Sequence, residues 1–169
     1  VLNLGGGLGI VERPGQNPLD LQAVNASLQA VREAHPEFQI WMEPGRFLVG
    51  QAGVLLVQVT QLKKKGDIHY VGVNTGMNSL IRPALYGAYH QIVNLSRFEE
   101  HLSAVAHVVG PICETGDTLG YARTLSPTTE GDVLLIGTVG AYGRVMSSQY
   151  NLRPTAREVF LKGSSSQSG

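Results

Sequence analysis

Hydrophobic periodicity changes character near residue 50, and this change limits the chain to few architectures. After that point the sequence consists of β-branched apolar runs, "AGVLLVQVTQL", "IHYVGVN", "AVAHVVGPIC" and "GDVLLIGTVGAYG", separated by polar segments with little helical periodicity. Runs of this length and spacing predict strands joined by short connections. We therefore expect residues 51–162 to form a mostly antiparallel β domain.

The first 50 residues follow a strand–helix–strand pattern. Residues 1–4 are apolar apart from Asn3 and lead into a glycine-rich segment, and "FQIWM" at 38–42 is a second short apolar run. Two short strands joined through a helix form a βαβ unit, which predicts a parallel sheet with buried strands. We place a domain boundary near residues 48–53.

The connecting helix is predicted at residues 18–34, and Pro36 ends its pattern. Its start is marked by Asn17 as the cap, Pro18 at the first helical position and Asp20 in the first turn. The apolar residues of its predicted face are Leu21, Val24, Leu28 and Val31.

The chain thus divides into three predicted parts. Residues 1–50 are α/β, residues 51–162 are β, and residues 163–169, "GSSSQSG", form a small, polar, flexible tail. A strand already under way at Val1 favours a chain cut from something longer.

Composition argues against several classes of function. Thirteen basic and thirteen acidic residues cancel without a basic stripe, which argues against nucleic-acid binding. The single cysteine, Cys113, cannot form an internal disulfide, and no apolar stretch reaches the roughly 18 residues of a membrane span. We expect a cytoplasmic protein that binds neither a membrane nor a metal ion.

Gly5, Gly6 and Gly7 follow the first predicted strand. Glycines let backbone N–H groups approach an anion closely, and the nearby helix start adds a favourable dipole. The pattern is not the dinucleotide fingerprint, because Ile10 takes the last glycine position, and no GK[ST] follows to make a nucleotide P-loop. A phosphate cradle and a plain tight turn both remain open.

Glu43 and Arg46 follow the second predicted strand in "EPGR". Loops after parallel strands share the carboxyl-terminal edge of the sheet, so both residues should lie beside the glycines. They could pair with each other as a structural ion pair. However, a carboxylate at the end of a buried apolar strand needs a partner, which favours a functional site.

Three later segments carry further candidates. "SLIRPALYGAYHQI" sets Arg82 and Tyr86 four residues apart, a spacing that suits a substrate carboxylate on a helical turn; the alternative is a surface helix. "GPICETGD" holds Cys113 beside Glu114, and a lone cysteine is more often a small buried hydrophobe than a catalyst. In "GAYGR" the phenol of Tyr142 could reach a phosphate or pack in a core.

Five segments, "NLGGGLGI", "EPGRFLVGQAG", "GMNSLIRPALYGAYH", "GPICETGD" and "GAYGRVMSSQYNLRP", resemble the diaminopimelate decarboxylases in order and spacing. The resemblance covers residues 1–162 and is especially close to the decarboxylase half of fused aspartokinase–decarboxylase chains. It implies a pyridoxal 5'-phosphate enzyme that converts meso-2,6-diaminopimelate to L-lysine and CO₂ in lysine biosynthesis. It also implies an alanine-racemase-like fold, with the last strands and helix of a (β/α)₈ barrel followed by the β domain.

The resemblance implies a set of cofactor contacts. The glycines and Tyr142 would hold the phosphate, and Glu43 would pair with the protonated pyridine nitrogen, which keeps the ring an electron acceptor. The implied cofactor-binding residues are Gly5, Gly6, Gly7, Glu43, Gly45, Arg46 and Tyr142.

It also implies a set of substrate contacts and a partner. Arg82 and Tyr86 would hold the distal carboxylate of an amino-acid substrate, Glu114 its distal ammonium, and Cys113 would donate a proton. The family forms homodimers in which these last two residues reach the partner's cofactor, so a shared active site is expected. The implied substrate-binding residues are Arg46, Arg82, Tyr86, Glu114 and Tyr142.

Two departures from the family pattern stand out. Relatives usually carry an aspartate just before "GMN", where this chain has Asn74 and Thr75. The family's Schiff-base lysine precedes the glycine loop, and Lys63–Lys65 in a predicted turn and Lys162 near the tail are no substitute. We therefore expect the isolated chain to be inactive.

Other functional interpretations of the same residues remain. A decarboxylase of this fold acting on ornithine, arginine or carboxynorspermidine would have no use for Arg82 and Tyr86 as carboxylate ligands. A racemase would be expected to place an arginine where Glu43 stands. From a different class, the chain could be a non-catalytic module that binds the cofactor or phosphate, or that only dimerises.

Overall fold

The computed structural model describes residues 1–162, and the predicted tail at residues 163–169 lies outside them. The elements, in chain order, are β1 (Leu2–Asn3), α1 (Leu21–Ala34), β2 (Ile40–Trp41), α2 (Gly45–Val49), β3 (Leu55–Lys65), β4 (Ile68–Val73), α3 (Arg82–Tyr86), β5 (Ile92–Asn94), β6 (Ala104–Val109), β7 (Thr118–Leu125) and β8 (Val133–Ile136). Short 3-10 turns lie at Gly50–Ala52, Arg144–Met146 and Tyr150–Leu152. In the described chain, none of the helices combines the length and apolarity needed to cross a bilayer.

β1 and β2 form a two-stranded parallel sheet. Backbone bonds continue past the strands: the N–H of Leu4 donates to the carbonyl of Trp41 at 2.9 Å, and that of Glu43 donates to the carbonyl of Gly5 at 2.7 Å. The predicted parallel pairing is confirmed. It brings the glycine loop and Glu43 to the same end of both strands, as the carboxyl ends of parallel strands require.

α1 begins at Leu21, three residues later than predicted. Asp20, not Asn17, is its cap: one carboxylate oxygen accepts from the backbone amides two and three residues on, at 2.9 and 3.0 Å. This satisfies two of the amides that a first helical turn leaves without partners. Pro18 therefore precedes the helix instead of opening it.

The α/β part buries little surface within the described residues. α1 has no fully buried residue, and Trp41 of β2 is 57% exposed. The prediction that both strands are buried is therefore wrong for the described chain, because two strands and one helix cannot cover both faces of a sheet. On the predicted helical face, Val24, Leu28 and Val31 are half-buried and Leu21 is exposed.

The β part is a six-stranded sheet in the order β5-β8-β3-β4-β6-β7. Four of its five strand pairs are antiparallel, as expected, and β4 with β6 is the parallel exception. A parallel pair needs a crossover, which the segment containing α3 and β5 supplies. The edge strands β5 and β7 contact each other, so the mixed sheet nearly closes and leaves little unpaired edge.

Lys63–Lys65 end strand β3, so their predicted location in a turn is wrong. Lys65 pairs with Ile68 across the hairpin, which leaves only Gly66 and Asp67 as the turn. Gly66 has a φ of +60°, a left-handed conformation that glycine adopts without steric cost. The three lysine side chains remain exposed.

Alternate residues of the six strands build one hydrophobic core. In β3, Leu55, Val57 and Val59 point inward while the residues between them are exposed, which is the period-two pattern of a half-buried strand. The most deeply buried apolar members of this core are Val73, Leu80, Val108, Leu119, Leu125, Leu134 and Ile136.

The two parts of the chain meet where glycines let two backbones approach. The carbonyl of Gly50 accepts from the N–H of Gly140, and the carbonyl of Gly53 accepts from the N–H of Val139, each at 2.9 Å. A β-carbon on Gly140 would collide with the carbonyl oxygen of Val49. These bonds lie at the predicted domain boundary, which itself stays a prediction.

Gly140→Ala should destabilise the chain by about 1–3 kcal/mol, because its methyl group meets a backbone carbonyl that cannot move aside cheaply. Gly137→Ala is the matched control, since the nearest atom to its β-carbon, the carbonyl oxygen of Gln91, is 3.8 Å away. Urea unfolding followed by circular dichroism gives both free energies of unfolding. Equal values for the two variants would contradict close packing at Gly140.

Candidate functional site

Asn3 connects the glycine loop to Glu43. Its side-chain oxygen accepts from the N–H of Gly5 at 2.8 Å, and its side-chain nitrogen donates to Oε1 of Glu43 at 2.5 Å. Glu43 is exposed within the described residues, so its predicted burial is wrong, but its carboxylate is oriented at the end of β2. Sequence reasoning gave Asn3 no role, although it is the one polar residue in the apolar start "VLNL".

Gly6 lies against the backbone of Glu43. A β-carbon at Gly6 would be 2.7 Å from the carbonyl oxygen of Glu43, so a larger residue would push the two strands apart. Gly5 and Gly7 have φ values of +70° and +85°. Within residues 1–162 the amides of Gly6 and Gly7 have no protein acceptor. Such a loop presents the N–H groups that an oxyanion binds.

Tyr142 reaches the same place from the β part. Its hydroxyl oxygen would be 3.3 Å from a β-carbon on Gly45, the first residue of α2. The N–H of Gly45 donates to the carbonyl of Glu43 at 2.8 Å. Tyr142 is 46% exposed, which excludes the alternative that it packs in the core. The glycine loop therefore lies against the backbone of Glu43, and the phenol lies beside Gly45, which hydrogen-bonds to that backbone.

Arg46 pairs with Glu12 and not with Glu43. Its Nη1 donates to Oε1 of Glu12, and Nη2 of Arg82 lies 3.9 Å from the same oxygen. The alternative of a structural Glu43–Arg46 pair is thus wrong. One carboxylate lying between two guanidiniums shows that this corner suits carboxylate binding. Sequence reasoning missed Glu12, because nothing local pairs it with a residue 34 positions away.

Arg82 is buried, with 8% of its surface exposed, which excludes the alternative of a surface arginine. Its Nη1 lies 3.3 Å from Nε2 of His90, whose Nδ1 lies 2.9 Å from the carbonyl oxygen of Gly137. Burial lowers the pKa of His90, the bond to Gly137 opposes this, and the charge of Arg82 lowers it further. A neutral His90 donates through Nδ1 and accepts from Arg82 through Nε2.

Three further predicted site residues, Tyr86, Cys113 and Glu114, are also exposed in the described chain. Tyr86 ends α3 with 64% of its surface exposed, and Cys113 and Glu114 lie exposed on the loop between β6 and β7. Exposure excludes the alternative that Cys113 is a buried hydrophobe. The hydroxyl of Tyr150 lies 3.4 Å from Oε2 of Glu114. Within the described residues, none of the three predicted side chains hydrogen-bonds to the group around Glu43.

Asp117 fixes the loop that holds the cysteine. Its buried carboxylate accepts from the N–H groups of Met77 and Ile112, each at 2.6 Å. Burial raises the pKa of Asp117, and these two bonds oppose the rise. A β-carbon on Gly76 would collide with the carboxylate. One side chain thereby joins the "GMN" and "CETGD" segments, a role that sequence reasoning did not assign.

The chain matches the family described as pyridoxal-dependent decarboxylase, C-terminal sheet domain, over residues 20–140. It belongs to this decarboxylase family. It is 43% identical to a diaminopimelate decarboxylase of Aquifex aeolicus over 164 aligned residues, and the aligned region covers 97% of this chain and 39% of that protein. One from Neisseria meningitidis serogroup B is 45% identical over 162 residues, covering 96% and 38%. The resemblance to the diaminopimelate decarboxylases deduced from the five motifs is confirmed.

Solved structures agree with this decarboxylase assignment. AQ1208 from Aquifex aeolicus matches with a TM-score of 0.84 and 44% identity, over 92% of this chain and 38% of that one. A diaminopimelate decarboxylase from M. jannaschii in complex with L-lysine matches with a TM-score of 0.81 and 35% identity, over 88% and 35%. The six-stranded sheet is the carboxyl-terminal sheet domain of this fold. The chain spans about two fifths of the length of its relatives.

Asn74 and Thr75, where this chain departs from the expected aspartate, both make local bonds. Asn74 exchanges two 3.0 Å hydrogen bonds with the backbone of Gln58, through its own N–H and its side-chain oxygen. The hydroxyl of Thr75 lies 2.7 Å from that of Ser79. Both neutral residues therefore fasten the end of β4 to its surroundings.

Asp117 and Asp132 should give opposite pH dependences of stability. The pKa of Asp117 is raised in the folded chain. Its contribution to the free energy of unfolding is therefore fully present below its pKa in the unfolded chain, near 3.8, and is lost as pH rises through its pKa in the folded chain. Burial also acts on Asp132, but hydrogen bonds from Thr129, Asn94 and Arg97 outweigh it and lower that pKa. The contribution of Asp132 to the free energy of unfolding is present above pH 3.8 and is lost as pH falls through its pKa in the folded chain.

Urea unfolding between about pH 3 and about pH 6 gives the free energy of unfolding of wild type, Asp117→Asn and Asp132→Asn at each pH. The stability lost in Asp117→Asn should shrink as pH rises, whereas that lost in Asp132→Asn should grow. At about pH 6 the Asp117→Asn loss should be about 1–3 kcal/mol, because an asparagine side chain offers one acceptor oxygen to two backbone N–H groups. Slopes of the same sign for both variants would contradict the opposite shifts.

Proposed function

We propose that this chain is the carboxyl-terminal part of a diaminopimelate decarboxylase. In this proposal residues 1–50 belong to a (β/α)₈ barrel and residues 51–162 form the β domain. The group around Glu43 carries the proposal: a carboxylate oriented by Asn3, next to a glycine loop with available amides and a phenol. Identities of 43–45% to diaminopimelate decarboxylases support it.

This group fits pyridoxal 5'-phosphate. The phosphate would bind the amides of Gly6 and Gly7, with the hydroxyl of Tyr142 as a further donor and Gly45 leaving room beside it. The carboxylate of Glu43 would hold a proton on the pyridine nitrogen. When bound, this cofactor withdraws electrons from the substrate's α-carbon as the bond to the carboxyl group breaks.

Glu12 occupies the position proposed for the distal carboxylate of the substrate. It accepts from Arg46 and lies close to Arg82, and binding of diaminopimelate would replace it there. Tyr86, one helical turn along α3, would add a phenol to the same carboxylate. A distal amine, as in ornithine, gains nothing from two guanidiniums, which argues against the other decarboxylases of the fold.

The proposed enzyme works as a homodimer. Cys113 and Glu114 are exposed on a loop that Asp117 holds in place, so they are presented to a neighbouring molecule. There Glu114 would bind the distal ammonium of the substrate, and the thiol of Cys113 would deliver a proton to the carbon that has lost CO₂. A single cysteine that must stay reduced suits the cytoplasm, where we place the enzyme.

The isolated chain is proposed to lack activity. Its described lysines are Lys63–Lys65, on the exposed end of the β3–β4 hairpin, and Lys162 at the last described residue. None lies in the glycine loop, β1 or β2, so the amine that binds the cofactor would come from the remaining part of the protein. The alternative is a non-catalytic module, and the next experiment distinguishes it from part of a decarboxylase.

A chimaera in which this chain replaces the matching part of the Aquifex aeolicus relative should release CO₂ from meso-diaminopimelate when pyridoxal phosphate is supplied. Glu43→Gln should lower its kcat about 100-fold or more, because an amide cannot hold the ring proton. Glu37→Gln, also exposed, is the control and should keep full activity. Equal kcat values for both variants, a preference for L-ornithine, or comparable CO₂ release by the isolated chain would each contradict the proposal.

Complementation tests the shared site. Chimaeras carrying Cys113→Ala or Glu43→Gln should each be strongly impaired alone. When they are mixed, dissociated and reassembled, about a quarter of wild-type activity should return, because half the dimers are mixed and one of their two sites is intact. If each site lay within one chain, every site would keep one lesion and no activity would return.

A further inference from the structure

Arg13, Tyr89 and Arg123 form a second cluster, to which the proposed function gives no role. The guanidinium carbon of Arg123 lies 3.7 Å from the centroid of the Tyr89 ring, and that of Arg13 lies 4.8 Å from it. A ring face attracts a cation, but two cations on one ring also repel each other. Burial lowers the pKa of Arg123, Tyr89 opposes this, and the charge of Arg13 lowers it further.

A cavity of about 220 Å³ opens beside this cluster. Residues at the ends of α3 and along β7 line it, and they include the buried Thr118 along with both arginines. No carboxylate occurs in this lining within the described chain. Because a water molecule takes about 30 Å³ of liquid volume, the cavity has room for a small anion and several waters.

Arg123 has an unsatisfied donor at this place. Its Nε is buried and lacks a hydrogen-bond partner within the described residues. A β-carbon on Gly120 would be 2.6 Å from this atom, so glycine in β7 is what allows the guanidinium to lie there. Glu12, the acid next to Arg13 in sequence, is engaged by Arg46. A buried donor without a partner is costly, and an oxyanion would supply both the acceptor and the missing charge.

We propose that the cluster binds a small oxyanion, either a phosphate or a carboxylate, between the guanidiniums of Arg13 and Arg123 in this cavity. A guanidinium matches both groups, because its planar N–H pairs bind two oxygens at once. The residues proposed to contact the cofactor and the substrate do not line the cavity. The oxyanion site is therefore separate from the proposed catalytic site.

Isothermal titration calorimetry tests this with the 169-residue chain, titrating inorganic phosphate or acetate at constant ionic strength set with sodium chloride. Because the proposed cofactor and substrate sites also bind anions, the cluster is identified by the saturable component that becomes about tenfold weaker in Arg13→Gln and in Arg123→Gln. Tighter binding of phosphate identifies a phosphate site, and equal or tighter binding of acetate identifies a carboxylate site. Arg157→Gln removes an exposed positive charge outside this cavity and should leave the affinity unchanged.

The exposed Arg13 keeps the test decisive if Arg123→Gln fails to fold. If the arginines only stack on Tyr89, the chain binds neither anion, or Arg13→Gln binds as tightly as Arg157→Gln; either result would overturn the proposal. The titration involves neither pyridoxal phosphate nor CO₂ release. Its failure would therefore leave the decarboxylase proposal standing, and an inactive chimaera would leave the oxyanion site standing.

Discussion

The backbone contact between residues 50–53 and residues 139–140 holds the candidate site together. It joins two parts of the chain that otherwise fold around separate sheets, through two hydrogen bonds that form because Gly53 and Gly140 have no β-carbon to hold the backbones apart. Tyr142 follows two residues later and meets Gly45 for that reason. A site shared by two sheets needs such a rigid contact, since a small shift in either sheet would separate its groups.

The candidate site beside this contact has an anionic end, at Glu43, and a cationic end, at Arg46 and Arg82. Glu43 is oriented by Asn3, a neutral amide, and not by a cationic side chain, so it stays available to a cationic group. Arg46 and Arg82 instead share one carboxylate, that of Glu12. Had Arg46 paired with Glu43, each would have cancelled the other and neither end would be available. One anionic and one cationic end suit a pyridinium nitrogen and a substrate carboxylate respectively.

Local patterns predicted the parallel unit and the β domain because hydrophobic periodicity is a property of neighbouring residues. They failed where two residues could do the same task, as when Asp20 replaced Asn17 as the helix cap. They also failed where the register of the β3–β4 hairpin determines the strand end, so that Lys63–Lys65 lie in β3 and not in a turn. The pairing of Glu12 with Arg46 depends on the whole fold and has no local signal. Motif order, in contrast, predicted roles for Glu43 and its neighbours without any geometry.

The two ends of the site differ in how firmly the described chain holds them. The buried core lies entirely within the β part, so Arg82, Asp117 and the base of the Tyr142 loop rest on packed strands. Glu43 lies on a two-stranded sheet whose helix has no fully buried residue, and hydrogen bonds alone orient it. Binding a cofactor there would have to order this half first, at a cost in conformational entropy. We therefore expect Arg82 to be held in place in this chain, while the proposed cofactor-binding end becomes rigid only when further structure covers β1, β2 and α1.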